Sequence, residues 1–390
     1  MKKILFVSGT RADYGHLKKL ILLFKEDSSF ITFVAATGTH LSEKHGRTIE
    51  ILKADGMPNI VEVDLKISGD TPSDICRAIS CGVSEFSHVF QEVRPDLIVV
   101  LGDRYELWPA CMSAVIHNIP IAHIHGGEST EGVIDEAIRH SITKMSHVHF
   151  CSHPLYQRRI IRMGENPKYV HLVGAPGLDR IKEMNFSKKE EIEKALKVEF
   201  SSQNILCTFH PVTLDKNQSN LEISNLIESI SLILANKPDL KFIITLPNSD
   251  TYSSYIHDQW NALVKIYPKN VHTFTNLGDQ LYLSVMKLAD LVLGNSSSGI
   301  AEAPFLNKAV VDIGYRQAGR LKSPHILHSS GETQDLVGKI NVALSPQFQK
   351  SLASHLSIYG DGNSSLKIYD ILRNINIAEL NFKKFFDGDT

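Results

Sequence analysis

Short apolar runs with no polar alternation punctuate the chain, and they leave few folds open. Leu97–Leu101 reads Leu-Ile-Val-Val-Leu and stops at Gly102-Asp103. Ile4–Ser8, Phe33–Ala36, Ile119–Ile124, Val148–Cys151 and Val170–Val173 have the same character, and each meets glycine or serine within two residues of its end. A strand with one wet face alternates, whereas a strand buried on both faces does not. The segments between them are amphipathic, as in Leu17–Lys25, where Leu20, Leu23 and Phe24 share a face. The pattern predicts a parallel sheet with helices on both sides.

The series restarts after a charged helical stretch, Phe186–Val198. Ile205–Phe209, Phe242–Leu246, Val271–Phe274, Leu291–Leu293 and Ala309–Ile313 make up the second set. A chain of 390 residues is also long for one core. The expectation is an α/β chain of two Rossmann-like domains, 1–180 and 181–363, followed by a helical tail, 364–390, that packs back on one of them. Parallel sheets facing a central cleft would bind ligand at the carboxyl ends of their strands.

The formal charge of −2 gives no global electrostatic case for nucleic acid or an anionic membrane as partner. The five cysteines are dispersed and show no CxxC spacing, which favours a reducing compartment over a disulfide framework or a zinc knuckle. The opening apolar run is too short for a signal-peptide core, and no segment has the length to cross a bilayer. The expected location is the cytoplasm.

The polar motifs fall at the ends of these strands. The first turn, Ser8-Gly9-Thr10-Arg11-Ala12-Asp13-Tyr14-Gly15, lacks the GxGxxG fingerprint of NAD sites. Arg11 offers a planar fork of donors suited to phosphate. In the second half, Leu293-Gly294-Asn295-Ser296-Ser297-Ser298-Gly299 carries a strand into a helix near Ser298. Free backbone N–H groups and the helix dipole make such a tip an anion site, to which Ser296 and Ser297 add hydroxyls. A plain helix cap needs only one serine. Glu302, one turn in, either completes a capping box or accepts from ribose hydroxyls. Arg316 ends the next strand and is the candidate clamp for a diphosphate.

Acid–base groups gather in the first half. Asp103 ends one strand, His125 and Glu128 follow the next, and Asp135 and Glu136 open a helix. Clustered carboxylates raise one another's pKa, which suits proton transfer. His123 and His125 alternate, so as strand residues they would face opposite sides and would not share a metal ion. His210, after the first strand of the second half, is a candidate acid or base or a phosphate donor, and Asn248 a weaker candidate for the nucleotide.

Taken together, Gly9–Tyr14, Gly102-Asp103-Arg104, His123–Glu128, Asp135–His140, Phe209-His210-Pro211, Gly294–Gly299 and Arg316-Gln317 resemble the hydrolysing UDP-N-acetylglucosamine 2-epimerases of sialic acid synthesis. That family shares its fold with the GT-B glycosyltransferases. Non-hydrolysing relatives tend to carry Arg-Pro-Glu and Asp-Ser-Gly-Gly where this chain has Arg11-Ala12-Asp13 and Asn295–Ser298. Many members have glutamate in place of His125.

The resemblance implies elimination of UDP to a glycal, addition of water at C1, and reprotonation of C2 on the other face. It assigns Asp103, Glu128, Asp135, His125 and His210 to proton work. Arg11, Arg104, His210, Asn248, Ser296, Ser297, Glu302 and Arg316 would bind UDP. No metal or other cofactor is called for, since no hydride moves and cationic groups carry the countercharge. Homo-oligomers, dimer or tetramer, are expected by resemblance alone. The same chemistry on UDP-2,4-diacetamido-2,4,6-trideoxyglucose, a GT-B glycosyltransferase, and a non-catalytic UDP-sugar sensor are the competing readings.

Overall fold

The computed structural model describes residues 1–43, 46–69, 71–130, 134–211, 216–246, 253–354 and 357–388. Two compact units emerge. The first comprises Met1–Lys182 together with Tyr359–Thr390, and the second Glu183–Ile358.

The first unit is built on β1 (Lys2–Ser8), β2 (Phe30–Thr37), β3 (Ile60–Val63), β4 (Leu97–Leu101), β5 (Ile121–Ile124), β6 (Val148–Cys151) and β7 (Val170–Leu172), in the order β3-β2-β1-β4-β5-β6-β7. The second is built on β8 (Asn204–Thr208), β9 (Lys241–Thr245), β10 (Val271–Phe274), β11 (Leu291–Gly294), β12 (Ala309–Ile313) and β13 (Ile326–Ser329), in the order β10-β9-β8-β11-β12-β13. Every neighbouring pair is parallel. The order reverses at β1/β4 and again at β8/β11, where the loops leave the carboxyl ends in opposite directions and open a crevice.

Side-chain alternation explains the unbroken apolar runs. From β1 and β4, Ile4, Phe6, Leu97 and Val99 point to one face and pack with Leu17, Leu20 and Phe24 of the Arg11–Glu26 helix. Leu5, Val7, Ile98 and Val100 point to the other and pack with Phe86 and Phe90 of the Pro72–Val93 helix. In the second unit Ile205, Cys207, Phe242, Ile244, Leu291 and Leu293 share one core with the fully buried Trp260.

The C-terminal segment belongs to the first unit. Its helix Ser364–Asn374 places Ile368 and Leu372 in the same core as Phe24. The buried Asp179 carboxylate accepts from the backbone N–H of Ser364 at 2.9 Å and Ser365 at 2.6 Å, a cap supplied from 185 residues away. Two strands escaped the sequence reading, β3 and β13. Only Val63 in β3, and Ile326 and Ser329 in β13, are buried, so these edge strands carry no continuous apolar run. The linker helix is shorter than expected, Lys189–Leu196, and ends where Lys197 turns left-handed at φ 55°. The first helix begins six residues early, at Arg11, because the Thr10 hydroxyl accepts from the Asp13 N–H.

Candidate active site

At the rim of the first unit the buried Arg139 is the hub. It rises from the first turns of the Ile134–Met145 helix and is 3% exposed. One arm of its guanidinium pairs with Asp103 just beyond β4 and donates to Thr130 Oγ1 at 3.0 Å. The other donates to Glu136 at 2.6 Å and to the Glu128 carbonyl at 3.1 Å. A buried guanidinium needs partners for its donors, and here they come from four residues. Glu136 also accepts from the Thr130 N–H and the Ser129 hydroxyl, which ties the Ser129-Thr130 stretch to the helix.

His125 and Glu128 form the next pair, with Nδ1 and Oε1 2.6 Å apart. The Ser152 hydroxyl donates to the same Glu128 oxygen at 2.8 Å. The strand-alternation argument does not hold for His125. β5 ends at Ile124, and His125 takes a left-handed conformation, φ 66°, that swings its ring off the strand. His123 stays in the strand, fully buried, and donates from Nε2 to the Gly102 carbonyl at 2.8 Å. Burial pushes it down to about 3, so it is a neutral core histidine. Behind His125, Gly127 has φ 75°, and a Cβ there would sit 2.7 Å from the Tyr156 carbonyl oxygen.

Asp135 is half-buried. Desolvation, then the charge of Asp103, raises its carboxyl above the ordinary value, while Arg104 and Arg139 pull it down. Arg104 donates to Glu106 at 2.9 Å. Glu106 and Asp13 are both buried, and each has one carboxyl oxygen with no hydrogen-bond partner among the described residues. Burial lifts Asp13 to about 6, against the opposing charge of Arg104. Arg11 stands exposed at the start of its helix. His16, packed against Gly177, is pushed down to about 4 by burial and then by the charges of His125 and Arg180.

In the second unit, Asn295 organises three strand ends. It is fully buried; its Oδ1 accepts from the His210 N–H and its Nδ2 donates to the His210 carbonyl, both at 2.8 Å. Its own carbonyl accepts from Arg316 at 2.9 Å and Gln317 at 3.0 Å. Gly294, with φ 132°, precedes it; a Cβ there would fall 1.9 Å from the Thr208 carbonyl oxygen. The helix Ser298–Phe305 starts as expected. The three serines are not equivalent. Ser298 pairs with the Tyr282 hydroxyl at 2.8 Å, and Ser296 accepts from the Ser298 N–H at 3.4 Å. Ser297 is exposed at the helix tip and makes no side-chain cap bond. Glu302 is partly buried one turn in. Asn248 lies outside the described residues.

The structure thus gathers Asp103, Arg104, His125, Glu128 and Asp135 at one rim, and His210, Ser296, Ser297 and Arg316 at the β8/β11/β12 ends of the other unit. Sequence reasoning passed over Arg139 as a hub, along with Asp13, Glu106, His16, Ser152 and Asn295. The one usable signal was that Asp13 and Arg139 stand inside motifs already singled out. Among the described residues no cluster of three or more His, Cys, Asp or Glu is arranged to hold a metal ion, and no helix is long and apolar enough to cross a membrane.

Two parallel-sheet α/β domains with polar groups at the strand ends are those of the GT-B fold. A crystal structure of UDP-GlcNAc 2-epimerase from Neisseria meningitidis, bound to UDP-GlcNAc, superimposes with a TM-score of 0.78 at 21% identity, over 96% of this chain and 100% of that one. The sequence model of the UDP-N-acetylglucosamine 2-epimerase family matches residues 23–373. A Campylobacter jejuni protein named GDP/UDP-N,N'-diacetylbacillosamine 2-epimerase (hydrolyzing) is 35% identical over 99% of both chains. A Legionella pneumophila protein named UDP-N,N'-diacetylbacillosamine 2-epimerase (hydrolyzing) is 32% identical over 96% of both. Escherichia coli polysialic acid biosynthesis protein P7 is 33% identical over 99% of this chain and 98% of its own. The chain belongs to the UDP-N-acetylglucosamine 2-epimerase family, and it is a UDP-sugar 2-epimerase.

Proposed function

We propose that the enzyme is of the hydrolysing kind, releasing UDP and a free 2-acetamido sugar inverted at C2. The observation that carries this reading is the rim around Arg139, whose guanidinium pairs with Asp103 and donates to the backbone carbonyl of Glu128, the partner of His125, while Asp135 feels the Asp103 charge. Inverting a carbon by proton transfer requires groups that remove hydrogen from one face and return it to the other.

C2–H next to an acetal carbon is a very weak acid. It becomes removable as the C1–O bond breaks and positive charge develops on the ring. One carboxylate takes the C2 proton while the C1–O pair leaves with UDP, giving the glycal. Water then adds its oxygen to C1, and an acid delivers a proton to the opposite face of C2. Asp103, oriented by Arg139, and Asp135, with its raised carboxyl, serve one face in this scheme; His125 and Glu128 serve the other. Stabilising the departing diphosphate is the largest electrostatic demand. In the second unit we assign that demand to Arg316, Ser296, Ser297 and the tip of the Ser298–Phe305 helix, with His210 beside the leaving phosphate and Glu302 on the ribose. No hydride moves, so the scheme uses no nicotinamide. The proposed compartment is the cytoplasm, and the proposed assembly a homo-oligomer.

UDP-N-acetylglucosamine is the leading substrate, giving N-acetylmannosamine for sialic acid synthesis. The family description and the polysialic acid name of the E. coli relative support it. The names of the C. jejuni and L. pneumophila relatives favour a second reading, UDP-N,N'-diacetylbacillosamine. Incubating the purified protein with each UDP-sugar in heavy water tests both. UDP release and a C2-inverted free sugar carrying deuterium at C2 are expected, and the faster substrate names the sugar. A glycoside product, or a released sugar without deuterium, overturns the proposal.

A further inference from the structure

The helix Ile134–Met145 carries Asp135, Glu136 and Arg139 in its first turns. Its 12 residues span about 18 Å at ~1.5 Å per residue, so its far end lies well away from the rim. The last carbonyls of a helix have no intrahelical donor and need one from outside. Here the donor comes from the C-terminal segment. The Lys383 ammonium reaches the carbonyl oxygens of Lys144 at 2.5 Å and Ser146 at 2.6 Å. A cation in this place also opposes the negative end of the helix dipole.

The same ammonium lies 2.8 Å from Glu165, a buried carboxylate. Glu165 also pairs with Lys144 at 2.5 Å and His149 at 3.0 Å. Burial works against its charge, and the three donors outweigh burial, holding the carboxyl at about 2. The segment continues over the same ground. The Phe385 ring lies 4.8 Å from the Lys144 ammonium, and the Phe386 N–H donates to the Gly164 carbonyl at 2.9 Å. Gly164 has φ 86°, and a Cβ there would lie 2.3 Å from the Phe385 ring, so glycine is what lets the segment seat.

We propose that residues 381–388 act as a strap, and that Lys383 is a positioning residue: by capping the far end of this helix it fixes where Asp135 and Arg139 stand. A helix moves as a rod, so slack at its carboxyl end displaces its first turn. Proton-transfer groups tolerate little of that, since about 1 Å of misplacement costs on the order of 10²-fold in rate. The inference rests on the reading of the Arg139 rim given above.

The test uses the full chain with Lys383→Met and Lys383→Arg, and Asp135→Asn measured beside them. Lys383→Met is expected to lower kcat by about fivefold or more with KM for the UDP-sugar within about twofold, and Lys383→Arg to recover most of the loss. A wild-type kcat in Lys383→Met, a change confined to KM, or no recovery with arginine overturns the strap. Should Lys383→Met fail to fold, Phe385→Ala loosens the same segment while leaving Lys383 and its partner Glu165 in place. A kcat about twofold down is then expected, and an unchanged kcat overturns the proposal. Full activity in Asp135→Asn would instead sink the reading of the rim. An inactive Asp135→Asn beside a fully active Lys383→Met sinks the strap alone.

Discussion

Arg139 reaches Asp103 across 36 residues of sequence, and the same guanidinium grips Glu136 one turn from its own backbone. The carboxylate at the end of β4 is thereby fixed to the helix that carries Asp135. Asp103→Asn keeps the shape of the side chain and removes its charge. The expected result is a loss of about 10²- to 10⁴-fold in kcat with UDP affinity within twofold. Rapid-quench UDP release and calorimetric UDP titration measure the two, and a near-native rate would remove Asp103 from the mechanism.

Arg139→Lys retains the charge but loses the planar fork. One ammonium cannot serve Asp103, Thr130, Glu136 and the Glu128 carbonyl at once. Leaving buried polar groups without partners costs about 3–5 kcal/mol for a broken buried pair. Urea unfolding is expected to show a loss of that order, accompanied by lost activity; a variant as stable as the parent contradicts the hub.

Asp13 makes stability depend on pH in an unusual direction. Its carboxyl is raised from 3.8 to about 6 by burial, so the folded state holds a proton that the unfolded chain releases. Stability from this group is full below about pH 4 and is lost as pH rises through about 6. Roughly two pKa units correspond to about 3 kcal/mol. Asp13→Asn should flatten the fall in unfolding free energy between pH 4 and 7. Parallel stability curves for the two proteins would show that Asp13 titrates normally.

The amide of Asn295 is expected to hold the second unit's loops together. Asn295→Ala leaves the His210 N–H and carbonyl without their buried partner, at about 1–3 kcal/mol for each group. Thermal unfolding should come earlier, and KM for the UDP-sugar should rise as the His210 backbone loses its anchor, while Arg316 keeps its bond to the carbonyl of residue 295. An unchanged melting point together with an unchanged KM would contradict this.

The parts of the fold legible in the sequence were those buried on both faces. β4 and β11 announce themselves because no residue in them meets water, whereas β3 and β13 sit at sheet edges and expose part of their length. The site was legible as residue types at strand ends, but its wiring was not. Arg139 reads like any helix arginine until the fold buries it. The placing of His125 depended on its left-handed turn just past the end of β5, a conformation no spacing rule resolves. Asn295 was overshadowed by three neighbouring serines, although its amide bonds to backbone, a partner that leaves no mark in sequence.

The cap that Asp179 gives to Ser364 and Ser365 has a consequence for synthesis. The second unit is an insertion, complete once residue 358 has left the ribosome, while the first still lacks Ile368 and Leu372 from its core. The half of the protein made first is therefore the half that matures last. A nascent chain arrested between the two stages exposes Phe24 and its neighbours to chaperones until the Ser364–Asn374 helix arrives.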